Sequence, residues 1–90
     1  MDFASVEADG THVFPGGEDE WLTADGCAGI SVTPDATTKA RVCYEDGCAP
    51  WRKALGNDKS TMLDEDVKAK TKFYLEFTNS ATGHLNGTSD

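Results

Sequence analysis

Residues 67–77, VKAKTKFYLEF, alternate in side-chain character along their whole length. Val67, Ala69, Thr71, Phe73, Leu75 and Phe77 fall on one side, and Lys68, Lys70, Lys72, Tyr74 and Glu76 fall on the other. Successive side chains of a strand point to opposite faces, so this period of two specifies a sheet with one buried face and one wet face. The stretch KARVCYE repeats it, with Ala40, Val42 and Tyr44 opposed to Lys39, Arg41, Cys43 and Glu45. A chain of 90 residues encloses only a thin core, and small cores of this kind often carry a covalent staple.

Asp-Gly steps at 9–10, 25–26 and 46–47 each lie between extended runs. A type I′ turn needs positive φ at both central residues, which makes Asp-Gly a strong hairpin signal. The intervening PGGEDE and TPDATT segments are rich in turn formers. One helical candidate exists, APWRKALG at 49–56, with Pro50 in the first turn, Trp51 and Leu55 on a shared face and Gly56 as terminator. It is too short to stand alone. The segment 79–90, NSATGHLNGTSD, is small and polar and reads as a mobile tail. These signals predict a single all-β domain over 1–90, a small antiparallel sandwich or barrel built from hairpins, with at most one short helical turn.

Cys43 and Cys48 flank the residues YEDG. If Tyr44 to Gly47 form a four-residue loop, the two cysteines face each other across a hairpin at roughly 4.5 Å between Cα atoms, close enough for a disulfide. Two alternatives stay open: Cys27 pairs with one of them, or no disulfide forms. A disulfide would place the chain in an oxidising, extracellular setting. Met1 is followed directly by Asp2 with no basic or apolar leader, which fits a mature secreted domain. Structural zinc is disfavoured, since Cys27, Cys43, Cys48, His12 and His84 contain no Cys-x2-Cys pair. Cys27 follows Asp-Gly in an acidic stretch, a setting that suits a catalytic nucleophile poorly, and a small buried or unpaired thiol is the plainer reading.

The net charge of −8 is unevenly placed. Asp2, Glu7, Asp9, Glu18, Asp19, Glu20, Asp25 and Asp35 precede the first basic residue, Lys39, and the remaining 8 acids are matched by 8 bases. Such a field repels nucleic-acid phosphates and anionic membranes and attracts basic proteins. No apolar run reaches the length of a membrane span, so neither nucleic-acid binding nor membrane insertion is expected. Within the acidic part, PGGEDEW sets Trp21 directly after Glu18, Asp19 and Glu20. Trp21 reads first as a core residue opening a strand; read instead as an exposed ring it stacks on sugars or on a basic partner, and these four are then the candidate binding residues for a protein partner.

The stretch LGNDKSTML resembles part of the calcium-binding signature of βγ-crystallin domains, in which adjacent Asn or Asp residues precede Ser or Thr. Asn57, Asp58 and Thr61 match, and Met62 stands where a Ser is expected. The resemblance implies a calcium site from Asn57, Asp58 and Thr61, to which Asp64 adds an oxygen. More broadly, the order ADGCAG, ARVCYEDGCAPW and DVKAKTKFYLEFTNSATGHLNGT is similar to small secreted all-β proteins of filamentous actinobacteria, which names no activity. Asn86-Gly87-Thr88 is a formal glycosylation sequon. No glycine-rich phosphate loop and no persuasive Ser-His-Asp order is present, so an enzyme is not expected. The chain reads as a small secreted acidic protein-binding module of inhibitor, effector or decoration type. No cofactor is required by this reading, and calcium or carbohydrate binding is the alternative. Neither the partner's identity nor the oligomeric state is encoded in any motif.

Overall fold

A computed structural model describes residues 1–17 and 19–89. The strands in chain order are β1 (Asp2–Ala4), β2 (Val6–Ala8), β3 (Thr11–Phe14), β4 (Leu22–Thr23), β5 (Ile30–Pro34), β6 (Thr38–Tyr44), β7 (Gly47–Cys48), β8 (Arg52–Ala54), β9 (Thr61–Asp64), β10 (Lys72–Phe77) and β11 (Thr82–Asn86). They form a four-stranded sheet in the order β1-β11-β5-β9 and a seven-stranded sheet in the order β2-β3-β10-β6-β7, with β4 joined to β10 and β8 to β6. Every strand pairing is antiparallel. The two sheets pack face to face as a small β-sandwich. Among the described residues, no helix is long and apolar enough to cross a membrane.

The alternation read from the sequence sets the core. Phe73, Leu75 and Phe77 on β10 are fully buried, while Lys72 is exposed and Tyr74 and Glu76 are half-buried. Ala40 and Val42 of β6 join them on the inner face, opposite Ile30, Val32, Leu63 and Leu85 of the other sheet. Phe3 of β1 reaches across and stacks on Phe77, with ring centroids 5.1 Å apart. The strand is shorter than its pattern. Lys70 takes a positive φ of 70° in a turn over 69–70, so Ala69 is exposed, although Val67 still reaches the core.

Two of the three Asp-Gly steps lie at hairpins. At the first, Ala8 pairs with Thr11, and Asp9 and Gly10 take φ values of 51° and 80° as a type I′ turn requires. The hairpin of β6 and β7 is offset by one residue: Tyr44 pairs with Gly47, so its two-residue loop is Glu45-Asp46, and the loop is shorter than the expected four residues. Asp25-Gly26 forms no hairpin. It lies on the path from β4, which pairs with β10, to β5 in the other sheet, and Asp25 Oδ1 accepts the Cys27 N–H at 2.9 Å.

Two further expectations are corrected. The segment 49–56 is not helical: β8 occupies its middle, Ala54 is buried, and Trp51 and Leu55 are exposed. Eight residues gain little from an isolated helix, whereas Thr38, Lys39 and Ala40 of β6 offer them a free ladder edge. The segment read as a mobile tail also contains a strand: β11 fills an interior place between β1 and β5 and buries Leu85 completely. Pairing on both sides satisfies a strand that is otherwise poor in apolar residues.

Candidate functional site

The seven-stranded sheet turns its outer face to solvent, and side chains two residues apart on β10 share that face. Tyr74 and Glu76 therefore project together, beside Val13 of β3, which pairs with Glu76. Leu22 pairs with Phe73, which brings the preceding Trp21 alongside Tyr74. The two rings meet edge to face, 5.3 Å between centroids at 68°. Edge-to-face contact of this kind holds both rings in place and leaves π-surface free at the corner between them.

The loop before Trp21 lies across the same face. Gly16 and Gly17 take φ values of 94° and 80°, left-handed conformations that glycine accepts without a Cβ penalty, and Asp19 takes 61°. A Cβ on Gly16 would strike the Val6 side chain, and one on Gly17 would press against the Glu20 carboxylate at 3.1 Å. The Gly-Gly step thus lets the loop lie close on β2 and fold Glu20 back over it.

Together these elements enclose a groove of about 650 Å³. Trp21, Tyr74, Glu76, Asp9, Asp19 and Glu20 line it, and none of its lining residues is basic. Glu76 is neutralised on its far side, where the Arg41 Nε–H donates to Oε1 at 2.6 Å. The Arg41 guanidinium in turn sits 4.4 Å over the Trp51 ring. Asp9, Asp19 and Glu20 take part in no ion pair among the described residues. The groove is an aromatic corner rimmed by uncompensated carboxylates, an arrangement suited to an organic cation: rings attract it through their quadrupole and carboxylates accept its N–H groups.

Of the residues singled out in the sequence, Asp19, Glu20 and Trp21 meet in this groove, and Glu18 lies outside the described residues. Asp9, Tyr74 and Glu76 come from other parts of the chain. Their signals were present as a turn acid and as the polar side of the alternating strand, but sheet register alone unites them.

The four candidate calcium ligands are spread over the bend before β9 and along that strand. Asn57 Oδ1 accepts the Lys59 N–H at 3.3 Å in the bend before β9, and Asp58 lines a hollow with Asp2, Asp35 and His84. Thr61 and Asp64 stand at opposite ends of β9. Asp64 is engaged elsewhere: Tyr44 Oη–H donates to its Oδ2 at 2.6 Å and the Asp66 N–H to its Oδ1 at 3.4 Å. Burial, then that hydrogen bond, then the Asp64 charge hold the Tyr44 phenol well above its ordinary pKa. Cys43 and Cys48 form the disulfide, compatible with an extracellular protein, and Cys27 is a free, exposed thiol. Comparison of the chain with protein-family models, with curated proteins and with solved structures finds no match.

Proposed function

We propose that the chain is a small extracellular acidic β-domain that binds a protein partner by taking a basic side chain of that partner into the Trp21–Tyr74 groove. The observation that carries this reading is the composition of the groove: two aromatic rings at an open corner, with Asp9, Asp19 and Glu20 around them and no basic residue in the lining. A lysine or arginine entering it meets ring faces and carboxylates together, each worth on the order of 1 kcal/mol at a partly exposed site. A concave groove of about 650 Å³ suits a side chain or short loop better than a flat surface, so the partner presents a protruding basic residue. The disulfide supports the extracellular setting. Nothing in the reading requires a reaction or a cofactor.

Calorimetric titration with short arginine- or lysine-bearing peptides tests it. Binding should be measurable for the cationic peptide and absent for its glutamate counterpart. Trp21→Ala should weaken binding about tenfold, equivalent to roughly 1.4 kcal/mol and within the range of a partly desolvated cation–π contact. Equal affinity for both peptides would overturn the reading. Salt-insensitive binding of a neutral oligosaccharide that depends on Trp21 would reassign the groove to sugar stacking.

A further inference from the structure

A second cluster of chemically capable side chains lies beside the groove, on the same outer face. Cys43 and Cys48 are directly paired across β6 and β7. The backbone fixes that register on both sides of the pair, through the Tyr44–Gly47 pairing at the loop and the Ala49 N–H to Val42 carbonyl bond at 2.9 Å. The hairpin therefore has a ladder of its own that does not depend on the sulfur–sulfur bond.

Glu76 reaches this pair from β10. Its Oε1 lies 3.3 Å from Cys43 Sγ and 3.9 Å from Cys48 Sγ. A disulfide sulfur carries no proton, so neither contact is a hydrogen bond. The three side chains are nonetheless grouped, with one ligand atom from each within 4.8 Å of the others. Zinc bound tetrahedrally at about 2.3 Å to sulfur and about 2.0 Å to oxygen sets its sulfur and oxygen ligands roughly 3.5 Å apart and two sulfurs roughly 3.8 Å apart. The carboxylate already stands near that spacing from both sulfurs. Only the sulfurs must part, and Cys48, which is exposed, has room to rotate.

Arg41 completes the arrangement. Its Nε–H holds Glu76 Oε1 at 2.6 Å, and its guanidinium rests on Trp51. In a metal-bound form Oε1 keeps this bond on one lone pair and turns another toward the ion, the outer-shell support that ligating carboxylates commonly have.

We propose that the reduced chain binds a thiophilic divalent cation, with zinc as the fitting ion, through Cys43, Cys48 and Glu76, leaving a fourth position for water. The disulfide is the closed state of this site. Opening it takes two equivalents of an external thiol, which supply two electrons and two protons and leave as their own disulfide. Cys43 and Cys48 become thiols, and cation entry releases those two protons as both become thiolates. This proposal does not depend on cation capture in the groove.

Cobalt(II) reports such a site, because its bonds to thiolate give a near-ultraviolet charge-transfer band. The full-length chain carrying Cys27→Ser is reduced, freed of reductant under argon, and titrated with cobalt(II) and then zinc(II). The expected result is one equivalent of cobalt with a charge-transfer band, bleached by zinc and absent in the oxidised chain. Glu76→Gln should lower cobalt affinity about tenfold or more, and far-ultraviolet circular dichroism shows that this variant keeps its β structure. Absence of the band in the reduced chain would overturn the proposal, as would equal cobalt affinity in Glu76→Gln. A reduced chain that unfolds and is not refolded by the metal would overturn it too, whereas refolding on metal addition would support it.

Discussion

Tyr44 shows how one residue couples the two layers. It lies on β6 in the seven-stranded sheet and donates to Asp64 of β9 in the four-stranded one. Burial first, then the hydrogen bond to Asp64 and the charge of that carboxylate, oppose ionisation of this phenol, so its pKa is raised in the folded chain. The unfolded chain releases the proton near the ordinary value of about 10. Above that pH the folded state binds more protons than the unfolded state, so stability falls as pH rises; below it the contribution is fully present. Denaturant melts between about pH 8 and pH 11 should show a decline that Tyr44→Phe makes shallower. An identical slope in the variant would mean that other groups carry the alkaline loss.

At the scale of the element, β11 carries a test of the fold. Leu85 is its one large apolar residue in the core and is fully buried between the sheets. Leu85→Ala should cost about 2–5 kcal/mol in a denaturant melt, the range for a leucine truncated in a packed core. A loss within about 0.5 kcal/mol, usual for a surface position, would remove β11 from the sheet. The same strand shows why some elements were legible and others were not. β10 announced itself because Phe73, Leu75 and Phe77 repeat a large apolar residue at every second place. β11 and the residue before it follow the same period, with Ala81, Gly83 and Leu85 in step, but two of those three are too small to stand out from a tail. In β8 the ladder edge of β6 overrides a weak helical pattern, a tertiary effect that local sequence does not carry. The disulfide was readable because only the four residues YEDG lie between its cysteines around a turn. The groove was readable only in its PGGEDEW part, since Asp9, Tyr74 and Glu76 join it through β2, β3 and β10 register.

Over the whole molecule, the charge asymmetry of the sequence becomes a lateral one across the seven-stranded sheet. β2, β3 and the loop before Trp21 come from the part of the chain without bases and lie at one edge, while Lys39, Arg41, Arg52 and Lys53 lie on β6 and β8 toward the other. The groove opens at the acidic edge. A basic partner approaching this sheet is drawn more strongly toward the groove than toward β8, because the unmatched carboxylates lie at the groove edge and bases offset acids at the other. Replacing Glu18, Asp19 and Glu20 together by their amides should therefore slow association of a cationic peptide severalfold at low salt. The difference should shrink as ionic strength passes 0.1 M, where charges are screened over about 10 Å. Stopped-flow mixing across a salt series reads this directly, with Lys53→Gln at the opposite edge as the control that leaves the rate nearly unchanged. Equal rates for the triple variant and the parent at low salt would show that the acidic edge does not steer, leaving the carboxylates to act only after contact has been made.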